Sequence, residues 1–198
     1  MMLQMDFIMP ASAIVKFIYR IALLVLFATP VLAENFSVQS ATISKIGNGY
    51  IVNAEMHYPL SERVIEALEN SVPITFSQQL ELINSVPLLG KYWQWQDVLW
   101  ATELRFELRY HALTQQYVLH SLDTLHHQTF PTLESVLNAL GQIKNLSLPP
   151  EYLTDRENLI LNLRTELDLH ALPTPMRPGA LLSSKWQLTS PWVAATWP

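Results

Sequence analysis

Apolar and polar residues alternate through much of the chain, which is the period of a half-buried β-strand. Between residues 103 and 111, leucine, phenylalanine and tyrosine occupy the even positions, while charged residues and a histidine occupy the odd ones. Between residues 159 and 169, every odd position is leucine or threonine. Strands with one apolar and one polar face are typical of antiparallel sheets. The pattern therefore predicts two long antiparallel strands, one in the middle of the chain and one near its end.

Turn residues join further strands into hairpins. Gly47-Asn48-Gly49 tolerates positive φ angles and separates predicted strands over residues 36–46 and 50–58. The segment 111–114 turns the chain back into a predicted strand over residues 116–122. We therefore expect one hairpin at the start of the domain and a second in its middle.

Two segments have the spacing of amphipathic helices. The first begins after Ser61, a typical N-cap residue, and ends before Pro73, after which residues 74–76 resume a strand. The second begins after Thr132. The residues that share an apolar helical face are Val64, Ile65, Ala67 and Leu68 in the first, and Leu133, Val136, Leu137, Leu140 and Ile143 in the second. The spacing thus includes Ile143 in the second helix.

Prolines are frequent after Leu172, where residues 173, 175, 178, 191 and 198 are all proline. Proline has no backbone N–H and is excluded from central strands. We therefore expect this segment to lie over the sheet as a strap. The whole pattern predicts a single α+β domain over residues 34–198, in which an antiparallel β-sheet of hairpins is combined with two amphipathic helices and a proline-rich C-terminal strap.

Residues 1–33 have the features of a secretory signal peptide. Lys16 and Arg20 precede an apolar run over residues 21–28, and small residues, ending in Ala33, stand where a signal peptidase would cut. We expect cleavage after Ala33 and a periplasmic mature protein.

An uncleaved membrane anchor is the alternative interpretation of the same segment. A spanning helix needs about 20 mostly apolar residues, and the run from Ile21 to Ala33 is shorter and is interrupted by Pro30. The sequence leaves open which of three methionines starts the chain: Met1, Met5 or Met9.

Composition limits the chemistry of the mature chain. Its 165 residues suit one domain. The chain contains no cysteine, which excludes disulfides, thiol catalysis and cysteine zinc sites. With 10 basic and 16 acidic residues the formal net charge is −6, and no basic run exists, so nucleic acid and anionic membranes are poor partners.

No motif predicts a reaction, and we expect no enzyme and no cofactor. Neither Gly-x-Ser-x-Gly nor Ser-x-x-Lys occurs in the mature chain, and five glycines provide no phosphate-binding loop. Two pairs of acids stand two residues apart: Asp155 with Glu157, and Glu166 with Asp168. Although a glycosidase also uses paired carboxylates, we interpret these as solvent-facing strand acids opposite Arg105 or Arg109.

Histidines at positions 111, 120, 126 and 127 raise the question of a zinc or copper site. No two histidines in the group have the spacing His-x-His or His-x-x-x-His. We therefore interpret them as solvated residues of a hairpin and its loop, and predict no metal site.

A cluster of aromatic residues allows two interpretations. Tyr92, Trp93, Trp95 and Trp100 surround Gln94, Gln96 and Asp97. Ring faces beside amide and carboxylate groups suit a glycan or peptide site. The alternative is that the rings pack in the core, with Trp186 and Trp192 closing over them.

Eight segments, taken in order, form a pattern that covers nearly all of the mature chain. They are Leu60-Ser61, Ala67-Leu68, residues 72–76, Trp93-x-Trp95-x-Asp97, residues 109–117, Phe130-x-x-Leu133-x-x-Val136-Leu137, Leu167-Asp168-x-x-x-Leu172-Pro173-x-Pro175 and Lys185-Trp186-x-Leu188-x-Ser190-x-Trp192. Together they resemble a family of uncharacterised proteobacterial exported proteins that is described as a domain of unknown function. The resemblance implies no catalytic residue. Proteins of this family are often encoded beside a nitrogen-regulation-type sensor histidine kinase, which implies an accessory role.

These observations predict a non-catalytic periplasmic binding or accessory protein. Its expected partner is an envelope or inner-membrane protein such as a sensor histidine kinase. The expected surface is the polar strand face of Arg105, Arg109 and His111, together with the proline-rich tail. A glycan- or peptide-binding module that uses Trp93, Trp95 and Asp97 is one alternative, and a hydrolase with an unrecognised site is another.

Overall fold

The computed structural model describes residues 35–87, 94–153 and 158–198, all within one compact unit that begins at Glu34. The strands are β1 Ser37–Ile46, β2 Gly49–His57, β3 Ile74–Pro87, β4 Gln94–His111, β5 Gln116–Ser121, β6 His127–Phe130, β7 Gln142–Ser147, β8 Leu159–Leu167 and β9 Val193–Ala194. The helices are α1 Glu62–Glu69, α2 Leu133–Leu140 and α3 Arg177–Leu181, with a 3₁₀ turn over Pro150–Tyr152.

The strands form two antiparallel sheets. One has the order β1-β2-β7, and the other has the order β6-β5-β4-β3-β8-β9. This confirms a sheet-rich α+β fold with a few short helices. The sequence predicted a single sheet, and the division arises because β7, which follows the second helix, pairs with β2 rather than with the long strands.

The alternating pattern defines the core. Every odd-numbered residue of β8 is buried and every even-numbered one is partly exposed. On the same face, Leu80 and Leu82 of β3 and Leu108 of β4 are completely buried. The small sheet contributes its own apolar face, in which Val52 is completely buried. Both long strands predicted from alternation are therefore confirmed.

The predicted turn after β1 and the predicted caps of both helices are also confirmed. β1 pairs with β2 through a turn in which Gly47 has a φ angle of +59°, the left-handed region that glycine adopts without strain. Ser61 caps α1 by accepting a hydrogen bond from the backbone N–H of Val64. Thr132 caps α2 in the same way through Ser135, whose side chain bonds back to the Thr132 backbone.

The second helix is shorter than the sequence predicts. It ends at Leu140, and Ile143 is a buried residue of β7. The carbonyl oxygen of Gly141 accepts a hydrogen bond of 2.7 Å from the N–H of Met56, which brings the chain against β2. Ile143 keeps its apolar environment, but it does so on a strand.

A small polar cluster lies inside the core between the two sheets. The Tyr58 hydroxyl is 2.9 Å from Thr165 Oγ1 and accepts a hydrogen bond of 2.8 Å from Gln78 Nε2. Gln78 also donates to the carbonyl oxygen of Leu140. Because Tyr58 is buried, desolvation raises its pKa to about 12. The hydroxyl is therefore neutral at ordinary pH and satisfied by protein partners.

The C-terminal residues connect the two sheets. Val193 and Ala194 pair with β8 of the large sheet, and the N–H of Ala195 donates to the carbonyl oxygen of Leu161. Thr196 then bonds to β1 of the small sheet through Ala41 and Ile43. Among the described residues, no helix combines the length and apolar character needed to cross a bilayer.

Candidate functional site

A two-stranded arm extends from the large sheet. β3 pairs with β4 along its whole length, from Ile74 opposite Leu108 out to Pro87 opposite Gln94. The other neighbour of β3, strand β8, pairs with it only as far as Asn84. The last described backbone contact on that side is the hydrogen bond from the N–H of Ser85 to the carbonyl oxygen of Asn158, so Val86 and Pro87 pair only with β4 among the described residues. We call residues 84–87 and 94–97 the arm.

One side of the arm continues the core face of the large sheet, but there it is exposed to solvent. Leu82, Asn84 and Val86 share one side of β3 because strand side chains alternate. Leu82 is fully buried, whereas Val86 is 41% exposed and its cross-strand partner Trp95 is 66% exposed. The two exposed apolar side chains are therefore available to a partner on one side of the arm.

The tryptophans of the predicted aromatic cluster differ in their exposure to solvent. Trp95 is exposed, so the core interpretation is wrong for this residue, whereas Trp100 is partly buried and packs against the core. Trp186 is buried, and Trp192 lies over the guanidinium of Arg164 at 4.8 Å. The ring of Trp192 therefore stacks on a charged residue of β8.

Asp97 is exposed and lies on the same side of the arm as Trp95, with Asn84 as its cross-strand partner. Trp93 lies outside the described residues. Of the three predicted residues of the aromatic segment, two are therefore neighbours on one exposed surface.

The opposite face of the large sheet carries a polar network. Ser77 Oγ donates to Glu103 Oε1 at 2.6 Å, and Gln79 Nε2 donates to Glu166 Oε1 at 3.1 Å. Arg164 donates to Gln79 Oε1 at 2.7 Å and forms an ion pair with Glu166 at 3.2 Å. These contacts join three neighbouring strands through side chains that already have partners.

The network corrects the predicted position of Glu166. The sequence placed this acid opposite Arg105 or Arg109, but β3 lies between their strands, and Glu166 is opposite Ser77. Asp168 instead follows the last residue of β8, and its carboxylate accepts hydrogen bonds from the N–H groups of His170 and Ala171. Asp155 and Glu157 lie outside the described residues.

Sequence reasoning missed Gln79 and Arg164 as members of this face. The signal was present, because both stand at polar positions of alternating strands. Which polar residues become neighbours depends on strand order, however, and alternation does not contain that information.

Arg105 and Arg109 lie on the polar face of β4, and both are exposed. The N–H of Arg105 donates to Asp123 Oδ2 at 2.8 Å. The guanidinium of Arg109 donates to Glu107 Oε1 at 2.7 Å, and this hydrogen bond raises the pKa of Arg109 above its ordinary value. His111 ends β4 and, with Arg109, lines an open depression of about 610 Å³ beside the following turn.

The predicted site residues do not form one site. Arg109 lies twelve positions after Asp97 along β4, which is about 40 Å in an extended strand. Trp95 and Asp97 therefore belong to the arm, and Arg105, Arg109 and His111 to the other half of the strand.

Two of the four histidines are cross-strand neighbours. His120 is opposite His127 on one side and Glu107 on the other. Glu107 already accepts from Arg109. Within residues 35–87, 94–153 and 158–198, no three acidic or histidine side chains are arranged to hold a metal ion.

The chain belongs to the family described as a domain of unknown function, DUF4390, whose model matches residues 33–196. This confirms the resemblance to a domain of unknown function. Neither the curated proteins nor the solved structures contain a match to the chain.

Proposed function

We propose that this member of the DUF4390 family is a non-catalytic binding or accessory protein of the periplasm whose partner is an envelope protein. The signal-peptide features of residues 1–33 support the location. The genomic neighbourhood implied by the resemblance makes the periplasmic part of a sensor histidine kinase the first partner to test.

The exposed position of Trp95 carries the proposal. Tryptophan is enriched among the residues that dominate binding energy, and truncation of such a residue costs about 2 kcal/mol or more. Val86 opposite the ring and Asp97 beside it supply an apolar contact and a polar rim. The arm thus presents the combination that a protein partner can cover.

Site-specific photo-crosslinking in living cells tests this function. A photoreactive amino acid replaces Trp95 in one variant and Leu113 in another. Leu113 is the matched control because it is a fully exposed apolar residue in the turn between β4 and β5, whereas Trp95 lies at the other end of β4. We expect an envelope protein to be crosslinked at position 95 and not at position 113, and mass spectrometry identifies it. Adducts at neither position, or equally at both, would contradict the proposal.

The same experiment decides between the arm and the polar face. The double variant Arg105→Glu and Arg109→Glu reverses both charges on β4. We expect it to retain the adduct at position 95, whereas loss of the adduct would assign the partner to the polar face.

N-terminal sequencing of protein recovered from the periplasmic fraction tests the location. The proposal expects a mature chain that begins at Glu34. Recovery only from the membrane fraction, with residues 21–28 still attached, would contradict it.

A glycan- or peptide-binding module is the second candidate, because Trp95 and Asp97 combine an exposed ring with a carboxylate. Soluble cell-wall fragments would then quench tryptophan fluorescence, and the quenching would be absent from Trp95→Ala. Equal quenching in both proteins would exclude this site.

A further inference from the structure

Strand β4 has an edge that its neighbours cover only in part. β5 pairs with β4 from Phe106 to His111, and within the described part of the chain no strand pairs with this side of β4 before Phe106. A strand edge of this kind exposes backbone donors and acceptors to any extended chain that can reach it.

The backbone contacts of Arg105 fix which groups point outward. Its N–H donates to Asp123 and its carbonyl oxygen accepts from the N–H of Leu122, so both point away from β3. In an antiparallel strand, successive residues direct these groups to opposite sides. The N–H and C=O groups of Glu103 and Ala101 therefore point away from β3 as well.

A bulge preserves the open edge further along the strand. Leu82 is paired with Trp100 and Ile83 with Val98, so Leu99 is an extra residue and the alternation shifts by one. The outward groups are then those of Val98 and Gln96. We call residues 96–103 the open edge; they span about 27 Å when extended.

The side chains of residues 96–103 do not block the approach of another strand to the open edge. Gln96, Val98, Ala101 and Glu103 are all exposed, and Val98 is 54% exposed. None of the eight residues is proline or lysine, the residues that commonly protect strand edges.

The charge around the open edge is negative. Glu81, Asp97 and Glu103 are the charged residues of the described segments 81–87 and 94–104, and all are acidic. Glu81 and Glu103 lie on the polar face of the sheet, whereas Asp97 lies on the side of Trp95. Alternate side chains of a strand that added here would therefore lie beside Glu81 and Glu103 on one face, where cations are favoured.

We propose that the open edge of β4 binds an extended segment of a partner protein as an additional strand, and that this segment carries basic side chains at alternate positions. The inference rests on the proposed binding function and gives it a mode: main-chain hydrogen bonds supply affinity, and the acidic residues and Trp95 select the sequence.

A second copy of the chain fits the open edge less well. In the antiparallel self-pairing that joins the outward groups, Glu103 of one copy faces Gln96 of the other and Ala101 faces Val98. Residues 96–103 contain no basic residue, so a second copy brings no cation to the acidic side chains. A basic segment does, and the edge is therefore more complementary to such a segment.

A synthetic peptide tests the mode of binding. The probe is a dye-labelled nine-residue peptide of alternating valine and lysine, with blocked ends, titrated with the full chain as recovered from cells. We expect saturable binding by fluorescence anisotropy. An alternating valine–glutamate peptide should bind at least tenfold more weakly, and so should the valine–lysine peptide with N-methyl groups on alternate residues.

Two proline variants locate the contact. Ala101→Pro removes an outward N–H without removing a bond to β3, and we expect it to weaken binding at least tenfold. Ala112→Pro is the matched control in the turn after β4, and its affinity should stay within twofold.

Three results would overturn the inference: no saturable binding of the valine–lysine peptide, equal binding of its N-methylated form, or full affinity of Ala101→Pro. Dimers in light scattering that Ala101→Pro abolishes would assign the edge to a second copy instead. If the crosslink at position 95 persists while any of these results is obtained, the proposed function stands and only the strand-addition mode fails.

Discussion

Tyr58 and Trp95 are both aromatic residues with a polar group, yet they occupy opposite environments. Tyr58 is 3% exposed, and its hydroxyl is held by Gln78 and Thr165. Trp95 is 66% exposed. At the scale of single residues, the same amphipathic chemistry therefore serves the core in one place and a candidate contact surface in the other.

The variant Tyr58→Phe should reveal the buried cluster through the pH dependence of stability. Because the pKa of Tyr58 is about 12 in the folded chain and 10.0 in the unfolded chain, the unfolded state ionises first. The contribution of Tyr58 is fully present below pH 10 and is lost as the pH rises from 10 to 12, a decrease of about 3 kcal/mol. Urea unfolding at a series of pH values measures it.

The phenylalanine variant should lose that part of the pH dependence. At pH 7 we expect it to be less stable than the wild type by about 2 kcal/mol, because the hydrogen bonds to the hydroxyl are lost. An unchanged slope between pH 10 and 12 in Tyr58→Phe would show that another group is responsible.

At the scale of elements, the end of α2 shows how tertiary contact overrides a periodic pattern. Apolar spacing continues to Ile143, but Gly141 lies against β2, and a Cβ atom on it would be 2.3 Å from the carbonyl oxygen of Met56. The missing side chain permits the close approach, and β7 then begins at Gln142.

We expect Gly141→Ala to destabilise the protein by about 1–3 kcal/mol, because backbone must move to accommodate the added atom. Gly179→Ala is the matched control: it lies in α3, and nothing lies within 4 Å of its Cβ position. There alanine should be neutral or stabilising by up to about 1 kcal/mol. Thermal unfolding of both variants measures the difference, and equal midpoints would exclude the steric account of Gly141.

At the scale of the whole molecule, the C-terminal residues connect the two sheets, which share no strand. Residues 193–196 bond to β8 on one side and to β1 on the other. Ala195 is buried, and the ring centroids of Trp197 and Tyr50 are 6.0 Å apart in an edge-to-face arrangement. The two layers are thereby held at one side by backbone hydrogen bonds.

Removal of residues 193–198 should therefore reduce the free energy of unfolding more than the loss of a short terminal segment usually does. We expect a loss of several kcal/mol, because the backbone hydrogen bonds of Ala195 and Thr196, the pairing of β9 with β8 and the buried apolar contacts are removed together, at about 1 kcal/mol for each hydrogen bond. A chain lacking only Pro198, an exposed residue, is the control and should unfold at the wild-type urea concentration. A small, equal shift in both truncated chains would contradict a joining role.

The sequence alone determined where the two alternating strands run and where both predicted helices begin, because these features depend on neighbours a few residues apart. Alternation identified the long strands, and capping residues located the starts of both predicted helices. The segments that carry the family resemblance were also readable without coordinates, and the family match over residues 33–196 agrees with them.

Only the tertiary structure decided how these elements combine. Strand order separates Glu166 from Arg105, the pairing of β7 makes a second sheet, and the length of β4 places Trp95 far from Arg109. The open edge of β4 exists because β5 is short while β3 is long. Pairing and exposure of this kind arise between residues distant in sequence, and a one-dimensional pattern of apolar and polar positions does not specify which strands meet.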